Sequence, residues 1–220
     1  MRDEIERYWR ELAWAMQRMP FELLERAARA LLACHARGGT VFVLGNGGSA
    51  ATAAHFACDL AKGTRVEGLP PFRVVTLVDN SAVLTAWAND TSYERVFAAQ
   101  LEGWVQPGDV VVAISGSGNS PNVLAAVEVA RAAGATTLAF SGRSGGRLRR
   151  LADLTVRAPA DPIEQVEDAH LAVGHSLCVA IRGHLRAEAA RRARPAAALY
   201  ELETAPRGLQ AQPVAAHAGA

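Results

Sequence analysis

"VFVLGNGGSAATAAHF", residues 41–56, changes character twice within a short span. Its first residues, Val41 to Leu44, are continuously apolar and partly β-branched, the pattern of a short strand buried on both faces. "NGGS" at 46–49 supplies a glycine turn, and a helical stretch follows over about 48–62. A buried strand, a tight turn and a helix in direct succession open a βα unit.

The pattern repeats downstream. Apolar runs recur at "FRVVTLV" (72–78), "DVVVAIS" (109–115), "TTLAFS" (136–141) and "LTVRA" (154–158). Helical stretches separate them, at 81–102 with a break near Asn89, at 119–133 and at 144–151. Turn signals at "QPGD" (106–109) and "AAGAT" (133–137) lead into strands. Strands alternating with helices predict an α/β fold in which a parallel sheet is covered on both faces. Upstream, 3–18 and 21–36 read as a helical pair broken at Pro20, and Phe21, Leu24, Ala28, Leu31 and Leu32 mark a buried face. A long helix from 163 closes the unit. The expected organisation is one domain over 1–190, its helical hairpin at 1–37, then an Ala/Pro-rich tail at 191–220 that is mostly unpacked, with a short helix around 197–203.

Composition narrows the function classes. The chain has 220 residues, half of them hydrophobic, and a formal net charge of +1. That suits one hydrophobic core and gives no basic block for nucleic acid. No apolar run is long enough to cross a bilayer, and the charged, amphipathic N-terminus is not a signal peptide. Cys34, Cys58 and Cys178 are scattered and flanked by apolar residues, which predicts buried thiols in a reducing compartment and a cytoplasmic protein.

Two loops at the carboxyl ends of strands carry phosphate chemistry. "NGGS" follows strand 41–45, and "GSGNS" (116–120) follows strand 109–115. Glycines let backbone approach a ligand, helix N-termini favour anions, and Ser115, Ser117 and Ser120 add hydroxyl donors without bulk. Ordinary turns with Ser49 and Ser120 as helix caps are the alternative. Neither loop is a Walker motif, and "GNGGSA" lacks the third glycine of the dinucleotide fingerprint.

His55 and Asp59 stand four residues apart on one helical face, and Glu167, Asp168, His170 and His175 cluster in the last helix. Together the two helices offer donors for a zinc or other divalent site. Each group also has a bland reading: a core histidine, an Asp59 paired with Lys62 or Arg65, a solvated acidic face. On a straight helix Glu167 and His175 stand roughly 80° and ~12 Å apart, so one ion held by both needs a bend or an early helix start.

"GNGGSAATAAHFACDL", "WANDTSYERVFAAQL", "GDVVVAISGSGNSPNVLAAVEVARAAGA" and "EQVEDAHLAVGH" resemble, in order and spacing over about residues 1–187, the SIS (sugar isomerase) fold and in particular the phosphoheptose isomerases. The resemblance implies a flavodoxin-like three-layer α/β sandwich with a five-stranded parallel sheet, a homotetramer with sites between subunits, and one zinc or other divalent ion per site. It implies isomerisation of sedoheptulose 7-phosphate to a heptose 7-phosphate for surface-glycan heptose, with no nucleic-acid or membrane partner. By position, Asn46, Gly47 and Ser49 would hold the sugar. Ser115, Gly116, Ser117 and Ser120 would bind phosphate, and Asp90 would act near a neighbouring chain's site. His55, Asp59, Glu167 and His175 would form the metal set, Glu167 also touching substrate, with Asp59 and His175 the proton-transfer pair.

Four positions depart from the family pattern. Asp59 replaces Glu, Glu167 replaces Gln, Gly116 replaces Thr, and Gly63 replaces an Arg whose role would pass to Lys62 or Arg65. Alternatives on the same fold are a non-catalytic protein binding the replication initiator, which in that branch lacks the acid and the late His, and an isomerase for another keto-sugar phosphate. A sugar-phosphate sensor would need a DNA-binding domain, which this sequence does not display.

Overall fold

The computed structural model describes the backbone of residues 1–204 and side chains through residue 193. Two helices, α1 (Arg2–Met16) and α2 (Phe21–Ala36), precede strand β1 (Thr40–Gly45) and helix α3 (Gly48–Cys58). Then come β2 (Arg73–Thr76), α4 (Ser81–Asp90), α5 (Ala98–Leu101), β3 (Val110–Ser115), α6 (Pro121–Ala132), β4 (Thr136–Ser141), α7 (Leu148–Leu151), β5 (Leu154–Arg157) and α8 (Ile163–Thr204).

The five strands are all parallel, in the order β2-β1-β3-β4-β5. The chain leaves β1 for one edge and returns to lay β3 on the other side of β1. The switch point therefore lies between β1 and β3, where both glycine-rich loops emerge. Crevices of this kind are where open α/β sheets bind ligands.

Period-two alternation of side chains explains the three layers. Val41, Val43, Val112, Ile114 and Phe140 face a core completed by Leu31, Phe56, Leu60, Val173, Leu177 and Ile181, from α2, α3, the turn after α3 and α8. Phe42, Leu44, Val111, Ala113 and Ala139 face the opposite side, against Val96, Phe97, Leu101, Val123 and Val127. Every residue of β1 and β3 is buried. Phe56, 1 % exposed, anchors α3 by burial worth about 1.5–3 kcal/mol.

Several local expectations shift. The helix expected over 81–102 resolves into α4, a 3-10 turn at Tyr93–Arg95 and the short α5. The last helix runs past Pro195 to Thr204, taking in the segment expected to hold a separate short helix; alanine-rich sequence sustains it. The rest of the tail, 205–220, lies outside the described residues. Cys34 and Cys178 are buried as expected, but Cys58 is exposed, because it lies on the outer face of α3. No helix among the described residues is long and apolar enough to cross a membrane.

Candidate active site

The predicted helix 48–62 is two structures. α3 ends at Cys58, and the chain continues as a π-helical turn, Asp59–Gly63. Such turns are rare and concentrate at functional sites. Nothing in the residue pattern "DLAKG" announces it, yet it begins on the acid singled out in the sequence.

α3 with this turn runs side by side with α8 in the same direction. His55 meets His175 and Gly63 meets Arg182, at sequence separations of 120 and 119. Glu167 lies against Gly48 and Phe56 against Gly174, at the same offset to within a residue or so. Two glycines thin this seam. A Cβ at Gly48 would collide with the Glu167 carboxylate, and one at Gly174 would come within 3.2 Å of the Phe56 ring. The candidate side chains are strung along the seam.

At its upper end is a cleft of about 220 Å³ lined by Asn46, Ser49, Ser115, Gly116, Ser117, Ser120 and Glu167, with Ile114 and Ile163. Larger clefts elsewhere on the surface lack this hydroxyl-rich lining. The Ser115 hydroxyl lies 3.2 Å from that of Ser120 and 3.5 Å from that of Ser117. Ser120 occupies the N-cap of α6 but makes no side-chain cap bond, and Ser49 lies inside α3 rather than at its cap, which is Gly47 at φ 54°. The serines converge on each other and on the cleft, as an anion site requires, instead of satisfying helix ends. Ser120→Ala is therefore expected to leave Tm unchanged, where loss of a working cap would cost about 1 kcal/mol. It should weaken competitive inhibition by inorganic phosphate; calorimetric melting and inhibition kinetics on one sample check both halves.

Asn46 is held by a residue that the sequence reading missed. Its side-chain amide and that of Asn122 exchange two 2.9 Å hydrogen bonds, and Tyr93 Oη donates to Asn46 Oδ1 at 3.1 Å. The pair ties the loop after β1 to the start of α6. Asn122 is buried and sits beyond the serine loop, so only its pairing in space marks it. At Gly116 a Cβ would lie 2.5 Å from Ile163 Cδ1, so a threonine there would require the Ile163 side chain to turn aside. Asp90 ends α4 and does not line this cleft in its own chain.

Farther along the seam, ~9 Å from Ser49 by the helical rise to His55, three side chains converge. His175 Nε2 is 2.9 Å from His55 Nε2, and Asp59 Oδ2 lies 3.5 and 3.6 Å from the two rings. Their ligand atoms all fall within 4.8 Å of one another. Two imidazoles and a carboxylate are a catalytic-zinc donor set, and tetrahedral bonds of ordinary zinc length would separate the donors by roughly 3.3 Å. The cluster matches that spacing to within a few tenths of an ångström, so the residues present fit a divalent ion and leave a coordination position open. Neither Lys62 nor Arg65 forms an ion pair with Asp59, whose partners among the described residues are the two histidines.

The late cluster divides in space. Glu167 faces the serine cleft and is outside the three-residue group. Asp168 accepts a hydrogen bond from Tyr8 of α1, which, with burial, pushes the Tyr8 hydroxyl up to about 12. His170 is buried in the core, and only His175 joins His55 and Asp59. Cys178, one turn beyond His175, is pushed up to about 12, first by burial and then by the Asp59 charge.

Comparison with known proteins places this geometry. The SIS domain family matches residues 6–142. The phosphoheptose isomerase of Solidesulfovibrio magneticus is 42% identical over 164 residues, covering 74% of this chain and 79% of the relative. Among solved structures, phosphoheptose isomerase GmhA from Neisseria gonorrhoeae superposes with TM-score 0.77 at 29% identity, covering 83% of this chain and 98% of that one. A phosphoheptose isomerase from Francisella tularensis gives TM-score 0.77 at 31% identity, covering 82% and 97%. With sequence identity and overall fold in agreement, the chain belongs to the phosphoheptose isomerase family, the sugar-phosphate isomerases of the SIS fold.

Proposed function

We propose that the protein converts sedoheptulose 7-phosphate to D-glycero-D-manno-heptose 7-phosphate through an enediol(ate), supplying nucleotide-activated heptose for surface glycans. One observation carries this reading: a hydroxyl-lined anion cleft and a His–Asp–His cluster lie along one helix seam, separated but continuous. That spacing suits a substrate with phosphate at one end and reacting carbons at the other. The phosphate held by Ser115, Ser117 and Ser120 supplies binding energy that orients the distant carbonyl.

Asp59 takes the proton from the carbon beside the carbonyl and delivers it, or one exchanged with solvent in the meantime, to the neighbouring carbon. His175 protonates and deprotonates the adjacent oxygens. Asn46, Gly47 and Ser49 contact the sugar, with the Asn46 amide pre-set by Asn122. Glu167, facing the cleft, accepts hydrogen bonds from sugar hydroxyls. His55, Asp59 and His175 hold a divalent ion, zinc by family analogy, which when bound polarises the carbonyl and offsets enediolate charge. Metal analysis of the untreated protein should find an ion that is lost in His55→Ala; equal metal content in both would remove this assignment.

Ile5, Trp9 and Trp14 on α1 are 55%, 64% and 46% exposed, apolar surface consistent with a homotetramer in which Asp90 reaches a neighbour's site. We place the enzyme in the cytoplasm, where free thiols stay reduced. Incubating purified protein with sedoheptulose 7-phosphate and zinc, with the aldose followed by NMR, tests the function. Product formation supports it, and an unchanged ketose at metal saturation refutes it.

A further inference from the structure

The seam continues beyond His175. Arg182, seven residues on and so on the same face of α8, reaches across, and its Nη1 donates to the Gly63 carbonyl oxygen at 3.1 Å. That carbonyl closes the π-helical turn begun by Asp59. Carbonyls at a helix end have no partner in their own helix and need an outside donor. Residue 63 contributes no side chain, and a Cβ there would meet only Asp59, at 3.9 Å from its Cβ and Oδ1. The space beside the acid is thus open on this side. Arg182 is half-buried against it, whereas Lys62 and Arg65 are exposed. Cys178 senses both charges, Asp59 raising its thiol and Arg182 opposing.

We propose that Arg182 is a positioning residue for Asp59: by clamping the last carbonyl of the π-helical turn to α8, it sets the carboxylate at the height of His55 and His175. The helix carrying His175 thereby also fixes the far end of the segment carrying the acid. Arginine suits the task because its planar, permanently charged fork loses little freedom when it bonds a fixed carbonyl. The clamp stands on the cluster geometry; only its effect on turnover rests on the isomerase reading.

Arg182→Met keeps the apolar stem and removes the donor, while Arg182→Lys restores a cation. Zinc affinity is measured by competition with a chromophoric chelator, alongside kcat and KM for sedoheptulose 7-phosphate. Arg182→Met is expected to lose about 10–100-fold in zinc affinity and in kcat. KM should stay unchanged, because the phosphate cleft lies fifteen residues up α8, ~22 Å away. Arg182→Lys should recover part of both losses. A folded Arg182→Met that binds zinc like the wild type overturns the proposal, even if its Tm has fallen. So does a wild-type protein that binds no zinc. If Arg182→Met does not fold, the lysine variant carries the comparison, and wild-type affinity and kcat there alongside a lowered Tm count against the clamp. Tight zinc binding without turnover in the wild type would defeat the isomerase reading and leave the clamp decided by the zinc comparison.

Discussion

Asp59→Asn is expected to lower kcat by about 10²–10⁴-fold, the range for losing a positioned general base. Asparagine keeps the shape of the side chain, removes the charge and offers no site for the abstracted proton. It also weakens the donor set with His55 and His175, whose rings lie 3.5 and 3.6 Å from the carboxylate. The fold should survive, since the seam is packed by Phe56, Leu60, Val173 and Leu177, none of which the substitution touches. Circular dichroism and Tm check that survival, and turnover is measured with zinc in excess to separate chemistry from ion loss. Asp59→Glu keeps a carboxylate and installs the residue usual in the family, so it should retain measurable activity. An Asp59→Asn enzyme within about tenfold of wild type, well below a general-base contribution, would sink the base assignment.

Acid should destabilise the protein through a different histidine. His170 is 1 % exposed, and neither ring nitrogen has a hydrogen-bond partner among the described residues; the Ser141 hydroxyl is likewise unpaired. Burial pushes this imidazole from 6.5 down to about 4. Between those values the unfolded chain binds a proton that the folded chain refuses, so stability falls as pH is lowered through the window. Between pH 7 and 4.5 one such group is worth about 2 kcal/mol. Urea unfolding of wild type at pH 7 and 4.5 should show this loss above any background from other groups. His170→Leu, which removes the titrating group, should show a loss smaller by about that amount. Equal losses in the two proteins would contradict the assignment.

The sheet was readable because strands buried on both faces leave an unmistakable apolar run, as in Val41–Leu44 and Val110–Ile114. Strand order was not carried by those runs and is seen only in the structure. The serine loop stood out because glycines and hydroxyls cluster at a strand's carboxyl end, where open α/β sheets bind ligands. What escaped the sequence depends on contacts between distant segments. Asn122 looks like any residue in the first turn of a helix until it meets Asn46. The π-helical turn carries no residue pattern of its own and is marked by hydrogen bonding alone. The closely spaced His170 and His175 read as one cluster, yet the helical twist sends one into the core and the other to the seam. The distance expected between Glu167 and His175 on a straight helix matches their placement at different points of the site.

In the proposed mechanism one seam binds the phosphate at one end and moves a proton at the other. Running the reaction with sedoheptulose 7-phosphate in deuterium oxide tests it most directly. The expected product is an aldose 7-phosphate carrying solvent deuterium at C2, with label and product both lost in Asp59→Asn. Unconverted ketose, or product and C2 label that persist in Asp59→Asn, would contradict it.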